Sequence, residues 1–418
     1  MIQSKFSNFY IRSGIFGILS LAGAVINYAL YPVLVRVLNT SDFGDFAALV
    51  ALSNQVMGIL IAFNVISIYL VKSQKEERAR AYAQVIQKML IWFFVAAILI
   101  LLLLSPLLSD LLKIDQAGSF LVLSIILITA VPAVVWTGYL QGHKEMVRIG
   151  VYNIASSASK FGLAVALAMV LGMNGGILGI LGGAIIGLVI LKVYPGVRLP
   201  QLKSLVQKSK PQDRQFVAGL RGYFLECLFV VGALSFLQNY DITLAKALFG
   251  PAEAGVYSGV SILSNALYYL SFLIVWIILP EIKIGDKKIN RRILTTAYRL
   301  LAALTLAAIT FELIFRDHLT QLLLGQEFAN QGNLLVFASL YQLSLVAVTL
   351  YAYFLLINRK KRSAILGLLV FGTTALIPAL FAQSPIDMIR LLWLSVVASF
   401  ALYWLLVFVY RQLFSKAS

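Results

Sequence analysis

The chain alternates long apolar runs with short polar connections. Twelve apolar segments of 18 to 32 residues cover roughly 11–37, 44–71, 89–110, 119–140, 150–171, 175–192, 216–247, 255–280, 293–315, 330–357, 363–383 and 389–410. A helix crosses the hydrocarbon core of a bilayer in roughly 20 residues, so each run predicts one spanning helix. The fifth and sixth runs are parted only by Gly172-Met173-Asn174. They are read as two, because one helix from 150 to 192 would be about 64 Å long, twice the hydrocarbon core. The predicted fold class is an all-α polytopic membrane protein with about 12 transmembrane helices in two six-helix bundles.

Composition agrees. Of the 418 residues 61% are hydrophobic and 12% charged, against about 45–50% and 25% in soluble domains. The 34 basic and 17 acidic side chains cannot coat a soluble protein of this size. A net charge of +17 would by itself suggest a nucleic-acid partner, but the basic residues cluster between the apolar runs. With the N-terminus cytoplasmic, 27 of the 34 fall on the cytoplasmic side and four (Arg36, Lys113, Arg316, Arg390) on the other, while Lys160, Lys246 and Arg299 lie inside segments. That bias sets orientation. It predicts a multi-pass protein with both termini inside, and no nucleic-acid partner. Arg12 precedes an apolar run too long for the h-region of a cleavable signal, so none is expected. Cys227 is the one cysteine and the two histidines, His143 and His318, are far apart. No disulfide, metal site, cofactor or catalytic grouping is therefore expected, and the chain reads as a non-enzyme.

The expected domains are an N-terminal bundle, 1–192, a basic cytoplasmic linker, 193–215, and a C-terminal bundle, 216–418. Within the linker, Leu202, Leu205 and Val206 alternate with Lys203, Lys208 and Lys210 between Pro200 and Pro211. That pattern fits either a short interfacial helix or a plain tether. The halves repeat. Asn27-Tyr28, Asp42-Phe43-Gly44-Asp45-Phe46 and Leu52-Ser53-Asn54 align with Asn239-Tyr240, Glu253-Ala254-Gly255-Val256-Tyr257 and Leu263-Ser264-Asn265, with one single-residue gap. Six segments per half make this a parallel repeat, an architecture of alternating-access transporters.

Charged side chains at mid-membrane cost about 2.5–3.5 kcal/mol on insertion scales and are kept where they face a cavity or a partner. Lys160 sits near the middle of the fifth segment, behind a stripe of Asn153, Ser156 and Ser157. It reads as a cavity-lining cation or as a snorkelling or structurally paired lysine. In the seventh segment Glu226 and Asp241, about 60° apart on one continuous helix, are candidates for ion pairing with Lys160 or Arg299 or for proton or sodium coupling. Asn27 and Tyr31 with Gly23 in the first segment, and Tyr257, Ser261, Ser264 and Tyr268 in the eighth, offer amide, hydroxyl and ring faces that suit a glycan. Interhelical hydrogen bonding is the alternative for each of them, and the glycines at 175, 179, 183 and 187 read as a packing seam.

The Asp42-Phe43-Gly44 turn after Leu38, the Asn239…Asp241…Gly255-Val256-Tyr257 stretch and the Leu324-Gly325…Phe328-Ala329 turn resemble the oligosaccharide (O-antigen) flippase family. These polysaccharide biosynthesis membrane proteins belong to the superfamily that also holds multidrug-and-toxin exporters and lipid II flippases. The resemblance implies flipping of a polyprenyl-pyrophosphate-linked oligosaccharide from the inner to the outer leaflet of the bacterial cytoplasmic membrane. A cavity between the halves would hold glycan and pyrophosphate, with Lys160, Arg299 and Arg12 as partners of the anion. A cation-coupled multidrug exporter shares the fold but should carry acids rather than a lysine in its cavity. A membrane glycan polymerase or ligase would need a sizeable outer loop, and the outer connections are short.

Overall fold

The structure, a computed structural model, describes the backbone of residues 2–414 apart from 74–75, 115–117, 144, 197–198, 200–220, 279–281, 283–285 and 359–361. Side chains at 2–14, 61–86, 221–224, 410–414 and a few single positions are also outside the description. Most of the basic linker, with its candidate interfacial helix, falls outside the described residues. Among those described there are helices and turns and no strand.

The helices are α1 (Ile2–Val37), α2 (Thr40–Ser73), α3 (Glu76–Leu103), α4 (Ser105–Leu112), α5 (Gly118–Gly142), α6 (Met146–Val193), α7 (Arg221–Gln238), α8 (Tyr240–Leu248), α9 (Pro251–Ile278), α10 (Lys287–Leu324), α11 (Gly332–Ile357), α12 (Arg362–Phe381) and α13 (Pro385–Phe414), with one 3-10 turn at Gln326–Phe328. Seven are long and apolar enough to cross a membrane, and the bent pairs α3–α4 and α7–α8 raise that to nine among the described residues. The two arms of α6, the shorter apolar α12 and the long α2 account for the rest of the twelve predicted segments. The helices gather into two compact units, Met1–Leu225 and Glu226–Ser418.

In the first unit α1 lies along α6, and α5 packs against α2, α3 and α6. The stretch at Gly172 adopts φ 60°, ψ −141°, a left-handed conformation that glycine accepts and other residues resist. There α6 folds back on itself, as the sequence argument from length requires. A Cβ built on Gly175, Gly179 or Gly183 would fall within 2.6 Å of backbone atoms of Leu167, Ala164 or Lys160, and one on Gly187 would meet Ser156 and Tyr152 at 2.8–3.0 Å. The four-residue glycine repeat is thus the seam along which the two arms touch backbone to backbone. Buried Arg148 closes the open end of the hairpin: its Nε and Nη2 donate to the Leu191 carbonyl at 3.0 and 2.5 Å.

In the second unit α11 is the central helix, packed by α9, α10, α12 and α13. Two bends differ from the uniform spans read from the sequence. The third segment bends by 60° at Leu104, where Pro106 in the first turn of α4 removes a backbone donor. The seventh bends by 52° at Asn239. The Leu324-Gly325…Phe328-Ala329 turn uses Gly325 at φ 111° and the following Asn330 at φ 69°. The Asp42-Phe43-Gly44 turn of the first half is simpler: Asn39 Oδ1 accepts from the Asp42 amide at 2.8 Å while its Nδ2 donates to Asp42 Oδ2 at 3.0 Å, an N-terminal cap for α2.

Candidate functional site

The break at Asn239 builds a buried polar site in the second unit. Ending α7 at Gln238 leaves carbonyls that a continuous helix would have satisfied four residues on. Tyr341 of α11 donates to the Leu237 carbonyl at 2.6 Å, and Gln342 Nε2 to the Gln238 carbonyl at 3.1 Å. Tyr240 reaches across to the Ala375 carbonyl of α12 at 2.7 Å. Restarted at Tyr240, the short α8 carries Asp241 in its first turn and Lys246 in its last, the arrangement a helix dipole favours. Both are fully buried. Asp241 Oδ2 accepts hydrogen bonds from Tyr257 at 2.9 Å and from Ser261, both on α9 and both buried. Its Oδ1 has no side-chain partner among the described residues.

Two expectations change here. Glu226 and Asp241 do not share a face of one continuous helix, because the chain turns at Asn239 between them, and half-buried Glu226 stays on α7. Asp241 takes two hydroxyls, not Arg299, as partners. Arg299 lies exposed on α10, roughly opposite the buried Ala297 and Leu301. The residues between it and Arg316 form the charge-poor stretch of that helix, which places Arg299 near one end of the span rather than at its middle. Ser261 is committed to Asp241, and Tyr268 stacks on Phe272 at 5.4 Å.

A further acid is buried in the same unit. Glu312 on α10 is 6% exposed, and its Oε1 accepts from Ser339 of α11 at 2.7 Å. The sequence gives little sign of it: one acid a turn before Arg316 reads as the polar end of a span, and only the serine in the tenth apolar run hints at a partner.

In the first unit the polar stripe of α6 is divided between two neighbours. Asn153 Nδ2 donates to Ser20 on α1 at 3.1 Å, and Gly23 packs against the Asn153 backbone. Ser156 turns to the Gly183 carbonyl of the other arm at 3.4 Å. Interhelical bonding is therefore what those two residues do. Lys160 lays its stem across Gly183, midway along its arm, and makes no ion pair or hydrogen bond among the described residues. The helices α1, α5 and α6 contain no Asp or Glu. The acids at the start of α2 lie towards Gly172, where Asp42 Oδ2 is 3.9 Å from the position of a Cβ. Asn27 and Tyr31 are half-buried on α1, Tyr31 with its ring edge-on to Tyr28 at 6.2 Å. The Arg12 side chain lies outside the described residues. No group of three or more His, Cys, Asp or Glu among the described residues is placed to hold a metal.

No family model and no curated protein matches the chain. Solved structures do. The lipid II flippase MurJ in an inward closed conformation superposes with a TM-score of 0.67 at 12% identity, over 93% of this chain and 87% of that one. An inward-facing multidrug resistance MATE transporter of the MOP superfamily gives 0.64 at 11% identity, over 94% and 99%. A MOP superfamily transporter from Pyrococcus furiosus, described by the reverse polarity of its binding pocket, gives 0.51 at 14% identity, over 95% and 93%. The chain has the fold of MOP-superfamily transporters over nearly its whole length.

Proposed function

We propose that the chain is a transporter that moves a polyprenyl-pyrophosphate-linked oligosaccharide from the inner to the outer leaflet of the bacterial cytoplasmic membrane by alternating access, both termini being cytoplasmic. Lys160 carries this reading. A lysine halfway along a spanning helix, whose own helix and neighbours α1 and α5 hold no carboxylate, calls for an anion supplied from elsewhere. A pyrophosphate meets that need with charge-assisted hydrogen bonds, and it cannot cross hydrocarbon unaided. Arg12 and Arg299 are proposed as further contacts of the anion, and Asn27 and Tyr31 as contacts of the glycan. Ser261 and Tyr268 are reassigned to supporting Asp241 and the aromatic packing of α9.

The buried Asp241 favours a second reading, a cation-coupled multidrug exporter, since a carboxylate on a broken helix suits proton or sodium coupling. Within the flippase reading the same acid would couple transport to one of those ions. The two are separated by purified protein in liposomes, measuring flipping of a fluorescent polyprenyl-pyrophosphate glycan beside efflux of a fluorescent cation. Glycan flipping without cation efflux supports the flippase; cation efflux alone replaces it with the exporter.

A further inference from the structure

We infer that Glu312 and Ser339 form a proton-binding site at the contact of α10 with α11, separate from the Asp241 site. The geometry is that of a carboxyl kept from water. Glu312 is nine-tenths buried, Oε1 receives the Ser339 hydroxyl at 2.7 Å, and Oε2 is buried with no hydrogen-bond partner among the described residues. On either side along α10, Phe311, Leu313 and Ile314 are exposed apolar side chains, the surface a bilayer covers.

Among the described residues no cation pairs with the acid. Arg316, one turn further on, is engaged with Asn333 at 2.6 Å and with Asp317 at 3.5 Å. Asp317 itself accepts from the Gly332 amide, and His318 is exposed. From α11 the titratable group within a turn of Ser339 is Tyr341, whose hydroxyl is given to Leu237; Tyr351 and Tyr353 lie more than three turns further along. α9 brings Tyr257, bound to Asp241, with Tyr268 and Tyr269, and the 3-10 turn brings exposed Glu327. A lone ionised carboxylate with one hydroxyl donor is expensive in such a place, while a carboxylic acid is not.

Ser339 makes both protonation states feasible. A hydroxyl is donor and acceptor and rotates to suit, so it donates to the carboxylate and accepts from the acid. Glu312 can therefore bind and release a proton without losing its contact with α11. The end of α10 bearing the exposed Asp317 and His318 lies little more than one turn away, the side from which a proton would arrive. A proton held here stabilises the α10–α11 contact, and its loss charges that contact and weakens it.

The test is infrared difference spectroscopy on the full-length protein in liposomes between mildly acidic and mildly alkaline buffer, reading the carbonyl stretch of protonated carboxyl groups. A band lost in Glu312→Gln, retained in Asp241→Asn and shifted in frequency by Ser339→Ala establishes the site. A spectrum that Glu312→Gln leaves unchanged overturns it. If Glu312→Gln does not fold, Glu312→Asp serves in its place, and an unshifted band in both Glu312→Asp and Ser339→Ala overturns the inference equally. The readout needs no transported substrate, so it stands or falls apart from the flippase reading.

Discussion

Gly183 stands directly across from Lys160 in the α6 hairpin: a Cβ at 183 would lie 2.5 Å from the Lys160 backbone nitrogen and 2.4 Å from its Cγ. The glycine lets the lysine stem cross the seam. Gly183→Ala should force the arms apart, at the roughly 1–3 kcal/mol typical of overpacking. Gly162→Ala, with no heavy atom within 4 Å of the new methyl, should be neutral or stabilising by up to about 1 kcal/mol. Thermal melting of the purified variants checks the contrast, and equal melting would show that the seam is not packed as described.

The broken helix makes its own prediction. Tyr341→Phe removes the donor to the Leu237 carbonyl and leaves that buried acceptor unpaired, which costs about 1–3 kcal/mol. Tyr257→Phe leaves Ser261 as the one side-chain donor to Asp241 among the described residues and should cost a comparable amount. Asn239, where the chain bends, should tolerate Asn239→Gly better than Asn239→Leu, because a good helix former would favour continuing α7 through the break. Melting temperatures of the four variants check these effects.

Arg148 tests how the hairpin is closed. Arg148→Met loses both hydrogen bonds to the Leu191 carbonyl, worth about 1.5–3 kcal/mol for a charged donor. Arg148→Lys keeps the charge without the planar fork and should fall between. Melting of the two variants beside the native chain shows whether the fork or the charge holds the carbonyl.

Orientation is tested by cysteine labelling in intact cells, in a Cys227→Ala background. The charge bias predicts labelling of cysteines placed at Lys113 and Asp387 and protection of those at Lys75, Lys208, Lys287 and Lys360. Labelling at position 208 from outside would overturn the division into six segments per half.

The spans were legible in the sequence because a bilayer demands about 20 apolar residues and little else. So was the glycine seam, because a four-residue repeat of the smallest side chain lines one helix face. The bends were not legible in the same way. At Asn239 the break depends on Tyr341 and Gln342 more than 100 residues away, and apolar periodicity carries no record of who supplies a capping donor. The same long-range dependence hid the partners of Asp241. The first half shows the limit of the repeat: Ala29 occupies the position aligned with Asp241, and α1 runs unbroken through it. Lys160 was identified by charge and depth alone. Its stripe, read as one face, serves two packing partners, because three and four residues of spacing reach two neighbouring grooves on a crowded helix.

The measurement that bears most directly on the proposed function compares native protein, Lys160→Ala and Lys160→Arg in proteoliposomes. It follows flipping of the fluorescent polyprenyl-pyrophosphate glycan, with melting temperature as the control for folding. Two unit charges 4 Å apart at an effective dielectric of 20 interact by roughly 4 kcal/mol, so loss of the cation should slow flipping by at least about tenfold. Lys160→Arg should keep a substantial fraction of the native rate, and both variants should melt near the native temperature. Lys160→Ala flipping the glycan at the native rate would contradict the assignment of Lys160 as the contact for an anionic cargo.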